Sequence, residues 1–280
     1  MNYTEAYLYG KNKLEEAGIT DIDADCRLLL DYATGRTLTF ILAHGEEEMP
    51  EQEEERFREV IEKRAGRYPL QLITGKTDFM GLEFEVSEDV LIPRIDTEFL
   101  VEEAMAEVED GASVLDLCTG SGCVLLSLMK YKNNIKGIGT DISEKALELA
   151  GRNAWKLGIG AEFIKSDLFE NVSGEFDYIL SNPPYIKKNV IDGLMDEVRL
   201  YEPHNALDGG EDGLDFYRII ASEGKKYLTR EGKVFVEIGY DQGEEVKKIF
   251  EDEGYINVDV VRDFAGNERV VKCSKNWKTP

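Results

Sequence analysis

Histidine is nearly missing from this 280-residue chain: His44 and His204 are the only two, 160 positions apart. That pair furnishes neither a histidine-rich metal centre nor a Ser-His-Asp triad, so no metal ligands are assigned. Cysteine is sparse as well. Cys26, Cys118, Cys123 and Cys273 form no Cys-x-x-Cys pair, which fits buried thiols in a reduced cytoplasm. No run of about 18 apolar residues suggests a membrane span. The opening Met-Asn-Tyr-Thr-Glu lacks the basic and apolar regions of a secretory signal. Positive charge is short: 33 Lys and Arg against 57 Asp and Glu, a net −24. Such a balance repels polyphosphate, so no direct nucleic-acid partner is expected. Seven glutamates fall between Glu46 and Glu55 and read as a solvated loop and helix start.

What is present suits two unequal folded domains: 280 residues, 42% hydrophobic, long for one core. Residues 1–72 read as a small helical bundle. The expected helices run from Asn2 to Ala17, from Asp21 as N-cap to Gly35, from Thr37 to His44, and from Pro50 to Gly66. Residues 73–92 alternate around Gly81 and predict a hairpin linker. A helix over Thr97–Val108, capped by Asp96 or Thr97, opens the last domain, 93–280.

From Val114 strands and helices alternate, which predicts an α/β, Rossmann-like parallel sheet with right-handed crossovers. The expected strands are Val114–Leu117, Ile135–Thr140, Ala161–Lys165, Phe176–Ser181, Lys233–Ile238, Tyr255–Arg262 and Glu268–Ser274; helices include Ser143–Leu157 and Asp215–Leu228. Only Asp263–Asn267 joins the last two strands. Five residues hold no crossover helix, so the seventh strand must run antiparallel.

Candidate chemistry gathers at the C-terminal ends of four successive strands, the edge where open α/β sheets bind ligands. The first ends in Asp116-Leu-Cys118-Thr119-Gly120-Ser121-Gly122, a turn whose glycines allow close backbone approach. The second ends in Asp141, placed to accept from both ribose hydroxyls of an adenosine. The third ends in Asp167 and Leu168, an acceptor for adenine N6 and an apolar surface for the base. The fourth runs into Asn182-Pro183-Pro184-Tyr185. There the Asn182 oxygen and the Pro183 carbonyl can accept the two hydrogens of a planar –NH₂, and the Tyr185 ring can pack on its flat face. The prolines stiffen the grip. NAD is the rival cofactor. However, Cys118-x-Gly-x-Gly122 is not Gly-x-Gly-x-x-Gly, and no hydride-transfer residue is evident; S-adenosyl-L-methionine accounts for more of the pattern.

These motifs resemble the release-factor glutamine methyltransferases over nearly the whole chain. The likeness includes Leu91-Ile-Pro-Arg-Ile-Asp-Thr-Glu98, the 116–122 loop, Ser166–Phe169, Ser181–Tyr185, Tyr201–Gly210 and Glu237-Ile-Gly-Tyr-Asp-Gln-Gly243. It implies a seven-stranded methyltransferase sheet with a helical substrate-recognition domain. It implies S-adenosyl-L-methionine held by Cys118–Gly122 and Asp141, with Leu168 beside the adenine. It implies that Asn182–Tyr185 hold the glutamine amide of a peptide chain release factor's Gly-Gly-Gln motif, with direct methyl transfer to that nitrogen. A monomer is expected. Cys118 and Ile95 depart from the family's usual glycine and proline, and Leu168 replaces a tryptophan of some members. Three alternatives share parts of the pattern. An adenine-N6 nucleic-acid methyltransferase would use the same grip on a flipped base. A ribosomal-protein glutamine methyltransferase would share the chemistry. A non-enzymatic adenosine-binding scaffold would need only the nucleoside contacts.

Overall fold

The computed structural model describes residues 1–276. The chain divides into two compact units. The first comprises Met1–Lys76 together with Met195–Tyr201, and the second Thr77–Leu194 together with the chain from Glu202 onward. The hairpin linker expected over 73–92 therefore lies within the second unit, apart from residues 73–76.

The first unit contains α1 (Tyr3–Glu16), α2 (Ile22–Thr34), α3 (Leu38–Ala43), α4 (Glu51–Ala65) and the short α5 (Leu70–Thr74). Asn2 caps α1 in a reciprocal box with Glu5. Asp21 does occupy the N-cap of α2, but its side chain makes no capping bond. Leu14, Leu29, Phe57 and Ile61 are fully buried between the helices. Gly10 permits their close approach: a Cβ there would stand 2.7 Å from Cys26 Sγ and 2.8 Å from the Phe57 ring. The excursion 195–201 is tied in by polar contacts. Buried Arg64 donates to Asp25 (2.6 Å) and to Glu197 (3.0 Å), and Tyr201 donates to the Gly66 carbonyl (3.3 Å).

The second unit begins with the hairpin β1 (Lys76–Phe79) and β2 (Leu82–Glu85), then α6 (Ile95–Glu107), β3 (Ser113–Leu117), α7 (Cys123–Tyr131), β4 (Lys136–Asp141), α8 (Glu144–Leu157), β5 (Glu162–Lys165) and β6 (Phe176–Ser181). After the excursion, which carries α9 (Asp196–Arg199), come α10 (Asp215–Gly224), β7 (Leu228–Glu237), α11 (Gly243–Asp252), β8 (Ile256–Arg262) and β9 (Glu268–Ser274). The strand order is β5-β4-β3-β6-β7-β9-β8. All pairings are parallel except those of β9, which runs antiparallel to β7 and β8. The antiparallel last strand is thus as the five-residue link requires. Alternation along each strand builds a core on both faces: Ile179 packs with Leu115, Val234 and Val236, while Tyr178 and Leu180 pack with Val114 and Phe235.

Connections leave β3 toward β4 and β5 on one side and return to β6 on the other. This reversal opens a crevice beyond the C-terminal ends of β3, β4 and β6. Among the described residues no helix is long and apolar enough to cross a membrane.

Candidate active site

The crevice contains a cavity of about 270 Å³. Its wall includes Cys118, Gly120, Asp141, Asp167, Leu168, Asn182 and Pro184, with apolar surface from Val90, Ile142 and Phe216. A smaller adjoining space, about 40 Å³, is lined by Thr97, Asp116, Thr119 and Ser121, and shares Cys118, Gly120 and Asn182 with the first. Asn182 therefore stands where the two spaces meet. Gly122 caps α7 just behind the wall.

The glycine-rich turn is shaped by backbone geometry. Cys118, Gly120 and Gly122 all have left-handed φ, at 56°, 55° and 80°. Cys118, standing where the related pattern has glycine, thus adopts a conformation that ordinarily favours glycine. Leu168 is also left-handed (φ 46°) and buried. The turn is held by Thr119 N–H donating to the Thr140 carbonyl and Gly122 N–H to the Thr119 carbonyl. Asp141 uses one oxygen to accept from Gly120 N–H and the other from Ser143 N–H, both at 2.9 Å. Burial raises its carboxyl above the ordinary value against the pull of these amides. Asp116 is 1% exposed and accepts from the Thr119 hydroxyl at 2.6 Å. Burial first, and the Asp141 charge as well, push it up to about 7.

At the end of β6 the Asn182 amide nitrogen donates to Thr97 Oγ1 at 3.0 Å. This fixes the amide so that Oδ1 has no protein partner among the described residues. The Pro183 carbonyl has none either. The two acceptors expected to grip an –NH₂ group are therefore both unengaged. Tyr185 does not line either space. Its ring packs against the core, and its hydroxyl donates to Glu237 Oε1 at 3.3 Å.

The loop is braced from behind. Gln242 donates to the Tyr185 carbonyl (3.0 Å) and the Gly213 carbonyl (3.2 Å), and accepts from Gly239 N–H. Ile186 exchanges backbone bonds with Leu207 and Gly209. Glu202, buried, is gripped through both oxygens by Arg94 at 2.6 Å.

Several of these residues escaped the sequence reading. Thr97 was taken as a helix cap; instead Arg94 occupies the N-cap, and Asp96 and Thr97 lie in the first turn of α6. Glu237 and Gln242 carried only a motif likeness. A glutamate closing an otherwise apolar strand, Val234–Val236, was the available signal for Glu237.

Comparison with known proteins adds the following. The PrmC N-terminal domain family matches residues 5–75, and the methyltransferase small domain family residues 94–211. The release factor glutamine methyltransferase of Agrobacterium fabrum is 41% identical over 269 residues, covering 93% of each chain. That of Clostridium acetobutylicum is 39% identical over 278 residues, covering 97% of this chain and 98% of the relative. Among solved structures, a methyltransferase from Pyrococcus furiosus superposes with a TM-score of 0.55 at 21% identity, over 70% of this chain and 90% of its own.

Proposed function

The chain belongs to the release factor glutamine methyltransferases, and from that membership we infer that it transfers a methyl group from S-adenosyl-L-methionine to the glutamine side-chain amide of the Gly-Gly-Gln motif in peptide chain release factors. The observation carrying this reading is the unengaged acceptor Asn182 Oδ1 in the cavity wall, with the unpartnered carbonyl of Pro183 next to it in the chain.

The cavity suits the cofactor chemically. Asp141 and Asp167 offer acceptors to hydroxyl and amino hydrogens, and Leu168, Val90 and Phe216 offer apolar surface to a base. Gly120 keeps the wall open: a Cβ would occupy the gap to Val90 Cγ1, 3.5 Å away. When bound, S-adenosyl-L-methionine supplies an electrophilic methyl on a sulfonium. Asp141 and Asp167 hold the nucleoside, and Cys118–Gly122 form the floor. Asn182 and Pro183 each accept one hydrogen of the substrate amide. Nitrogen in a primary amide is a poor nucleophile because its lone pair is delocalised into the carbonyl. Two acceptors aim that nitrogen and favour pyramidal geometry, and the nitrogen sheds a proton during or after transfer. No general base is assigned. Orientation of this kind is worth up to about 7–11 kcal/mol in the best cases.

The helical unit 1–76 with 195–201 is the recognition element, since it contains none of the residues that line the cavity. The protein works as a cytoplasmic monomer, on a release factor and off the membrane. Its four cysteines, all free, suit a reducing compartment. Incubating release factor and S-adenosyl-L-methionine with the enzyme should add the mass of one CH₂ to the Gly-Gly-Gln peptide, with methylamine rather than ammonia released on amide hydrolysis. An unmodified glutamine, with methyl appearing on an oligonucleotide or ribosomal protein instead, would overturn the assignment.

A further inference from the structure

Phe264 is 100% exposed, more than any other large apolar side chain among the described residues. It sits at the tip of the hairpin that joins β8 to β9, and that hairpin is tightly tied. Asp263 accepts from the backbone N–H groups of Ala265 and Asn267, from the Asn267 amide and from Arg269. The ring is thus held out into water by a fixed turn. There it meets Phe99 of α6 edge-on, with ring centroids 5.8 Å apart. Ile95, 76% exposed, stands one helical turn before Phe99 on the same face of α6. Single exposed apolar residues need no explanation, whereas a rigid cluster of them marks a contact surface.

The topology says what meets this surface. β7 and β8 both run antiparallel to β9, and β7 is parallel to β6. β8 therefore ends at the catalytic edge of the sheet, and the hairpin rises from that edge. The strand order is β5-β4-β3-β6-β7-β9-β8. Cavity residues that follow β3, β4 and β5 put the nucleoside over one half. Asn182 follows β6, and the hairpin lies over the other half, where α6 packs against β7 and β9. Thr97, midway between Ile95 and Phe99, is buried on the inner face of α6 and bonds Asn182 at 3.0 Å. A helix is about 10 Å across, and three residues of extended chain span about 10 Å. A polypeptide with its glutamine amide at Asn182 thus reaches the surface with residues about three or four positions away. The border is acidic. Asp96 and Asp263 share Arg269, Arg262 is matched by Glu268, and exposed Glu102 continues the Ile95–Phe99 face. Resting on the function proposed above, we infer that Ile95, Phe99 and Phe264 form a docking surface for the protein substrate: an apolar, positively charged segment of the release factor that flanks its Gly-Gly-Gln.

Steady-state methylation of release factor by the full chain tests this. Phe264→Ser, and more so Ile95→Ser combined with Phe264→Ser, should raise KM for release factor about tenfold. The kcat should stay within about twofold, because the lost contact binds ground state and transition state alike. S-adenosylhomocysteine affinity and the urea midpoint should not move, and Phe264→Tyr should behave as wild type. Glu102→Lys should raise KM about threefold at low ionic strength, an effect that fades at about 0.5 M salt. An unmoved KM in the double variant would overturn the inference. A KM shift matched by equal losses of cofactor affinity or stability would also overturn it, since that makes the residues structural. So would a wild-type dimer in sedimentation that Phe264→Ser dissolves without moving KM, which would give the surface to a second copy of this chain. An unmoved KM in Glu102→Lys would overturn the positive charge of the docked segment. Normal methylation with KM unmoved sinks this inference alone; no methylation of release factor by the wild type sinks the functional reading, and this inference with it.

Discussion

Gly209→Ala is a sharp test of how tightly the amide grip is held. Gly209 lies in the segment that runs back against the Asn-Pro-Pro-Tyr loop, and its N–H donates to the Ile186 carbonyl at 2.9 Å. A Cβ at this position would stand 2.7 Å from Tyr185 Cα, and 2.9 Å from both the Pro184 oxygen and the Tyr185 carbonyl carbon. All three are backbone atoms, so no rotamer change relieves the contact. Ordinary contact begins near 3.4 Å, and the loop or its neighbour must therefore yield by about 0.7 Å. Overpacking of this kind costs about 1–3 kcal/mol in stability. The functional effect should be larger, because a misplacement of about 1 Å can cost a hundredfold in rate. We expect kcat on release factor to fall by about a hundredfold while the midpoint of urea unfolding shifts modestly. S-adenosylhomocysteine affinity by calorimetry should be nearly unchanged, since Gly209 does not line the cavity. A folded Gly209→Ala enzyme with near-normal kcat would refute the claim that the loop is held rigidly by this contact.

Asn182→Ala removes one of the two acceptors and should lower kcat by about a hundredfold or more, with far less effect on cofactor affinity measured by calorimetry. Asp141→Ala should weaken S-adenosylhomocysteine binding by about 1.5–3 kcal/mol; unchanged affinity would reduce Asp141 to a tie between Gly120 and Ser143. Burial raises Glu237 to about 7 from the usual 4.5, so the native state keeps a proton that the unfolded chain has lost. That stabilisation is complete below about pH 4.5 and gone once pH passes about 7, so wild type should lose up to about 3 kcal/mol relative to Glu237→Gln across this window in urea titrations. A chain starting at Thr77 should, if folded, still bind S-adenosylhomocysteine but modify release factor far more slowly; equal rates on intact release factor would remove the recognition role of the helical unit.

The parallel sheet was legible because buried strands announce themselves. Phe176–Ser181 and Glu268–Ser274 begin and end where their apolar runs and flanking turn residues say. β7 was not, for it starts at Leu228, five residues earlier than expected. Arg230, Glu231 and Gly232 break its pattern, and its pairing with β6 is irregular there. The lining of the cavity was legible wherever a residue type is chemically unusual at a strand end: Asp141, Asp167 and Asn182 all lie in its wall. Thr97 and Gln242 could not be read in this way. Their roles depend on partners 85 and 57 positions away, and a single threonine in a first helical turn looks like a cap. Residues 186–194 and 202–213, which flank the loop, fold into short turns and one isolated parallel bridge, Ile186 with Asp208. They have neither helical nor strand periodicity to detect.

The helical unit is discontinuous in sequence, and this sets an order on its birth. The first 76 residues leave the ribosome long before Met195–Tyr201 exist. At about 5–20 residues per second, the intervening stretch takes roughly 6–25 s to synthesise. During that interval Arg64 already has Asp25 but lacks Glu197, and Tyr68 lacks the ring of Tyr201 that later packs edge-on at 5.0 Å. The nascent bundle must therefore wait, incompletely closed, for a piece of chain translated from the middle of the second unit. A pause or truncation before codon 201 would leave it exposed to proteases, so the helical unit finishes folding only after most of the strands of the large sheet have been translated.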